Sequence, residues 1–146
     1  MGIGFDPPKF WGPDWAPKRQ MFSQGVVQPE GRVVHITGQV AWDENNEVVG
    51  AGDVRAQMTQ CVDNLERVLE LVGGKLEDIV SLTIYFTDRD DIDGIRDIRE
   101  GRLTFPDGKA PVSIFIQIAG LVLPEFKVEI VPIAVIPLDR FVEPAT

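Results

Sequence analysis

The apolar residues of this chain change period at Asp53, and that switch limits what it can fold into. Val54, Met58, Cys61, Leu65, Val68, Leu69 and Val72 recur at three- and four-residue spacing, the stripe of an amphipathic helix, until Gly73-Gly74 stops it. Val80, Leu82, Ile84 and Phe86 then alternate with Ser81, Thr83, Tyr85 and Thr87, the period of a half-buried strand. Upstream, Phe22–Val27 and Arg32–Gln39 flank Pro29-Glu30-Gly31 and read as a hairpin. Asp43-Glu44-Asn45-Asn46 is a second turn, with Val48 and Val49 beyond it. Downstream, Ile92, Ile95 and Ile98 mark a shorter helix, and Ser113–Ile118 and Lys127–Ile136 read as two last strands. This order predicts an α+β domain with one mixed sheet and two helices on one sheet face, because crossovers between parallel strands share one hand.

Such a sheet leaves its second face bare in a monomer. By alternation that face carries Val33, His35, Phe115, Val131, Ile133 and Val135. The set is too apolar to stay wet, which predicts a homo-oligomer.

The ends differ from the middle. Residues 1–18 contain Pro7, Pro8, Pro13 and Pro17 with Trp11 and Trp15, which predicts an extended arm whose tryptophans pack on their own domain. Residues 19–138 read as a single domain and 139–146 as an irregular tail. No stretch is long and apolar enough to span a bilayer, and the N-terminus lacks the basic and apolar regions of a signal peptide, so the expected location is the cytoplasm.

Charge and residue counts narrow the chemistry. At 146 residues the chain can bury a core of its own. Fourteen Lys and Arg against twenty-three Asp and Glu leave a net charge of −9. A surface that acidic repels phosphate backbones and anionic lipid, so neither nucleic acid nor a membrane is an expected partner. One cysteine excludes an internal disulfide, and one histidine excludes a Cys/His zinc cluster. No glycine-rich phosphate cradle is present; no metal or cofactor is expected.

Single residues sort the same way. Cys61 falls on the apolar stripe of the first helix and reads as a buried structural thiol. His35 stands in a strand pattern between Val34 and Ile36 and reads as a core or interface side chain. The acidic run Asp88–Asp91 with Asp93 sits at a strand-to-helix junction, where acids cap helix N-termini. Glu129 differs, lying within Lys127-Val128-Glu129-Ile130-Val131 on the same face as Val131. A carboxylate there needs a partner, either a cation of a neighbouring chain or a role as acid/base or water holder in a cleft between subunits.

Seven segments in order carry a family resemblance: Phe22-Ser23-Gln24-Gly25-Val26, Ile36-Thr37-Gly38-Gln39-Val40, Gln57–Leu69 with Asn64-Leu65, Asp78-Ile79-Val80, Tyr85-Phe86-Thr87-Asp88, Ala110-Pro111 and Val128-Glu129-Ile130. Over about residues 20–137 the chain resembles the YjgF/YER057c/UK114 family, also called Rid, whose founding branch hydrolyses reactive enamines and imines. The resemblance implies a chorismate-mutase-like fold, a homotrimer with clefts between subunits, and a small metabolite as substrate. It implies Glu129 and Thr37 as catalytic candidates. Phe22, Arg96, Val112 and Ile114 are the corresponding substrate-binding candidates, with Phe22 where the family has Tyr and Arg96 where it often has Asn. The family's active branch anchors the substrate carboxylate with an arginine just after the Ala-Pro element, and Val112 stands there. Losing that charge-assisted bond predicts carboxylate binding weaker by about ten- to a hundredfold. Arg96 is then the available replacement guanidinium, set against an ordinary solvated helix arginine. Two functions follow: hydrolysis or deamination of a small enamine or imine, and non-catalytic binding of a small ligand by the same trimer. A ribonuclease or translation-inhibitor role ranks third, since the net charge of −9 and the single histidine suit it poorly.

Overall fold

The computed structural model describes residues 9–12, 22–106 and 109–146. The elements run β1 (Lys9–Trp11), β2 (Gly25–Val27), β3 (Arg32–His35), α1 (Val54–Glu70), β4 (Ile79–Phe86), α2 (Ile92–Arg102), β5 (Val112–Gln117) and β6 (Val128–Ile136). The main sheet has the order β3-β6-β4-β5, with β4 and β5 parallel and the other pairs antiparallel. It is therefore the mixed sheet that the pattern of periods predicts.

The long helix begins where the period changes. The Asp53 carboxylate accepts a hydrogen bond from the Ala56 backbone N–H at 3.1 Å and so caps α1. At the other end the Gly74 N–H returns to the Leu69 carbonyl, with Gly73 at φ +77°. Met58, Cys61, Val62, Leu65 and Leu69 on α1 and Ile95 on α2 pack on Leu82, Ile84, Phe86, Val128, Ile130 and Ala134. Both helices thus cover the same sheet face.

Two expectations need correction. The segments around Pro29-Glu30-Gly31 do not form a hairpin: β2 pairs with β1, and β3 pairs with β6 from the far end of the chain. The turn is there, but non-local partners satisfy both flanks. Secondly, Phe115 does not lie on the bare face. Its register partner in β4 is Ile84, its ring meets Phe86 at 5.9 Å, and the Arg99 guanidinium sits 5.8 Å above it on the helix side. The bare-face residues of β5 are Ile114 and Ile116 instead, 54% and 38% exposed. Val33, Val131 and Ile133 lie on that face as expected, with His35 exposed beside them, while Val135 is already buried.

The arm falls largely outside the described residues, including Trp15 and the side chain of Trp11; Lys9–Trp11 is extended and adds to β2. The second turn is as expected, with the Asp43 carboxylate accepting from the Asn45 and Glu47 N–H groups and Asn46 at φ +59°. The acidic run also serves the chain locally, since Asp88 accepts from the Asp90 N–H and Asp91 pairs with Lys127 at 2.9 Å. Among the described residues, no helix is long and apolar enough to cross a membrane.

The C-terminal tail is irregular yet anchored. Arg140 donates to both oxygens of Asp78, at 2.5 and 3.0 Å, and to the Gly73 carbonyl at 2.9 Å. The Val142 N–H reaches the Val72 carbonyl. Gly73 is needed here: a Cβ would stand 2.0 Å from the Arg140 carbonyl oxygen. Asp78 is buried, so removing its guanidinium partner leaves a carboxylate with its charge unpaired and the Lys75 N–H as its remaining donor. Arg140→Ala should lower unfolding stability by about 2–4 kcal/mol, read by urea titration. A change within about 0.5 kcal/mol, the ordinary range of surface substitutions, would mean the tail is not held by this pair.

Candidate functional site

The site forms where β3 stops and β6 continues. β3 pairs with β6 up to His35 opposite Ile133. The chain next touches β6 at Gln39, whose backbone exchanges both hydrogen bonds with Ile130 at 2.8 and 3.0 Å. The register has slipped by one residue between these points, which makes residues 36–38 a bulge. Bulges unpair a short segment and re-aim side chains beside a strand. Here the bulge sets Thr37 and Gly38 beside Glu129.

Side-chain amides hold the loop that follows. Gln39 Nε2 donates to the Thr37 carbonyl at 2.9 Å, and Asn64 Nδ2 on α1 donates to the Val40 and Trp42 carbonyls. Asn64 Oδ1 in turn accepts from Gln60 Nε2. The Trp42 ring packs at 5.5 Å on Phe126, which is buried. Loop, β6 and α1 border an open cavity of about 330 Å³ lined by Thr37, Gly38, Trp42, Asn64, Val122 and Glu129 among others. Glu129 lies flat against Gly38, where a Cβ would meet its Oε1 at 1.9 Å and its Cδ at 2.8 Å. Only glycine leaves the carboxylate that position. Among the described residues no hydrogen-bond donor or cation contacts the Glu129 carboxylate.

Of the sequence-derived candidates, Thr37 and Glu129 share this cavity. The others lie elsewhere in the protomer. Half-buried Phe22 runs beside the start of β5, because the Ser23 N–H bonds to the Pro111 carbonyl and Ser23 Oγ donates to the Ala110 carbonyl. Val112 and Ile114 sit on the open face of β5, in cross-strand rows with Ser81 and Thr83. Arg96 is exposed on α2 and does not line the cavity. The α2 arginine that faces β5 is Arg99, buried over Phe115, its guanidinium lowered to about 10 by burial.

Sequence reasoning passed over Gly38, Trp42, Asn64 and Val122 as site residues. Gly38 and Asn64 stood inside quoted motifs, so a signal was present; nothing local marked Val122. A larger, open depression of about 660 Å³ at the C-terminal end of α1 is lined by Glu66, Glu70, Lys75, Glu77 and Arg102 and holds none of the candidates.

Residues 15–136 match the family model described as Endoribonuclease L-PSP. The chain belongs to the YjgF/YER057c/UK114 (Rid) family. It is 32% identical to YyfB of Yersinia pestis, a Rid-family protein of unknown function, covering 88% of this chain and 98% of that one with a TM-score of 0.76. RidA from an Antarctic Psychrobacter is 28% identical over 88% of this chain and 94% of that one, with a TM-score of 0.65. A YjgF/YER057c/UK114 family member from Mycobacterium tuberculosis shares the fold at 24% identity, covering 79% and 86%, with a TM-score of 0.59.

Cys61 plays no exposed part in this Rid chain. It is fully buried, and burial followed by the charge of Glu129 pushes its thiol from 9.0 up to about 12. The thiolate is therefore scarce at neutral pH, and thiol reagents should label Cys61 only on unfolding. The sign for stability follows. Above pH 9.0 the unfolded thiol ionises while the folded one stays protonated until about 12, so this group destabilises the fold as pH rises through that window. Cys61→Ala should flatten the alkaline fall in melting temperature; an unchanged slope, or rapid labelling of the native protein, would contradict the assignment.

Proposed function

We propose that this chain hydrolyses a small reactive enamine or imine, in a cleft completed when three copies assemble. The observation that carries the reading is the half-buried Glu129 carboxylate, which lines a cavity beside Thr37 with no donor or cation from the described residues against it. A carboxylate so placed is a proton acceptor that its own protomer leaves unused. In the reaction, water adds to the carbon of the protonated C=N bond, and the carbon–nitrogen bond then breaks to leave a carbonyl compound and ammonium. Glu129 takes a proton from the attacking water and returns it to nitrogen as ammonia departs, while the Thr37 hydroxyl orients the water. Positioned proton transfer of this kind contributes about 10²–10⁴-fold.

The oligomer follows from the open face. Val33, Ile114 and Ile116 are large apolar side chains left exposed on it. Burying them between copies is the arrangement under which Phe22, Val112 and Ile114 would meet the Glu129 cavity of a neighbour. The partners are then other copies of this chain and a small metabolite, in the cytoplasm. Sedimentation is expected to give three times 16.2 kDa.

A second reading, a non-catalytic trimer that binds a small ligand, is favoured by one observation: Val112 stands where the resemblance calls for an anchoring arginine, and no arginine among the described residues lines the cavity. Endoribonuclease activity, the word in the family description, suits this chain least. A net charge of −9 and a lone carboxylate at the site both oppose a polyanion.

Glu129→Gln should cut imine turnover by about 10²–10⁴-fold while the assembly stays intact. Gly38→Ala, which displaces the Glu129 side chain, should do the same without touching the carboxylate chemically. Val112→Arg should tighten carboxylate-bearing imines by about ten- to a hundredfold. Ammonia release from a panel of imines generated in situ reads all three. No release from any of them, with a tightly held small ligand, would establish the binding reading instead.

A further inference from the structure

The Glu129 cavity is unusual in what it offers a ligand. Among the described residues its titratable lining residue is Glu129, and no Lys, Arg or His lines it. Asn64 Nδ2 is committed to the Val40 and Trp42 carbonyls, and Gln39 Nε2 places one N–H on the Thr37 carbonyl. The Glu129 carboxylate is therefore the charged group a ligand meets, beside the Gln39 amide oxygen and the Thr37 hydroxyl, which accepts or donates. The rest of the wall is Val40, Val122, which is 76% exposed, and the Trp42 indole, whose buried Nε1 has no partner among the described residues. A volume of about 330 Å³ is small for a ligand site. An overall charge of −9 attracts cations and repels anions at a distance as well.

We propose that this cavity selects a small organic cation without a carboxylate, a primary ammonium or iminium carrying a short apolar substituent. The cationic N–H groups meet Glu129, and the substituent lies against Val40, Trp42 and Val122. This rests on the reading of the Glu129 cavity as the ligand site, and it replaces an imino acid by an alkyl imine as the substrate class. Val112, where a carboxylate anchor is missing, belongs to the same selection.

Calorimetric titration of the assembled protein with 3-methylbutylammonium and with its near-isosteric anion 3-methylbutanoate separates the outcomes, because neither probe can react. A charge-assisted contact predicts that the amine binds at least about tenfold more tightly than the acid. Glu129→Gln should abolish that preference. Val122→Lys, at a position exposed enough to accept the change, should reverse it and keeps the test available if Glu129→Gln assembles poorly. The proposal is overturned if the acid binds as well as the amine, if neither binds, or if Glu129→Gln leaves amine affinity unchanged while breaking the assembly. That last result would make Glu129 one half of an ion pair between copies. Amine binding with no imine turnover would overturn the hydrolase reading and sustain this one; fast turnover of imino acids with tight 3-methylbutanoate binding would do the reverse.

Discussion

Strand β6 is the interaction on which the rest of the molecule depends. Over nine residues it hydrogen-bonds to β3 along one edge and β4 along the other, and its inner face carries Val128, Ile130 and Ala134 into the helices. Val128 and Ile130 each contribute roughly 1.5–3 kcal/mol through burial, and the Ala134 methyl about 0.8 kcal/mol. A one-residue shift of β6 would turn this whole set outward and bring Glu129 into the apolar core, so its register is strongly specified. The unpaired gap beside it, where residues 36–38 bulge away, exists because the pairing on either side is that well determined.

The start of β6 is fastened by a second device. Gln57, fully buried on α1, donates to the Gly50 and Glu125 carbonyls and accepts from the Lys127 N–H at 2.8 Å. One side chain thus joins the loop before α1 to the loop that leads into β6. Asn64, two turns further along α1, does the same for the Val40–Trp42 loop. The cavity wall is held by side-chain amides from a rigid helix instead of by a strand ladder. That arrangement commits the Asn64 amide donors to the loop and leaves Glu129 as the charged group of the cavity among the described residues.

Family membership settles the scaffold and leaves the chemistry to the site. Two relatives share about a third of this sequence or a little less. The close seat of Glu129 on Gly38 and the capped α1 belong to this chain's scaffold. Under the proposed hydrolase reading, Val112, on the open face of β5, is where substrate preference would depart from that of an imino-acid deaminase.

The amino-acid sequence by itself determined the elements, because their signals are local. The helical period from Val54, the Asp53 cap, the Gly73-Gly74 stop and the alternation of Val80–Phe86 all act within a few residues. It also determined that a carboxylate would sit at Glu129 on an otherwise apolar strand face. Tertiary structure alone decided the partners. The Pro29–Gly31 turn looked like a hairpin, but β3 pairs with a strand about a hundred residues away, and nothing in either flank encodes that choice. Ile114, Phe115 and Ile116 are apolar in succession, so no polar residue marks which face is which; the parallel register with β4 turned Phe115 toward the helices. The bulge that joins Thr37 and Gly38 to Glu129 is likewise a one-residue mismatch between two distant strands. It has no local signal, because a register is a property of a pair.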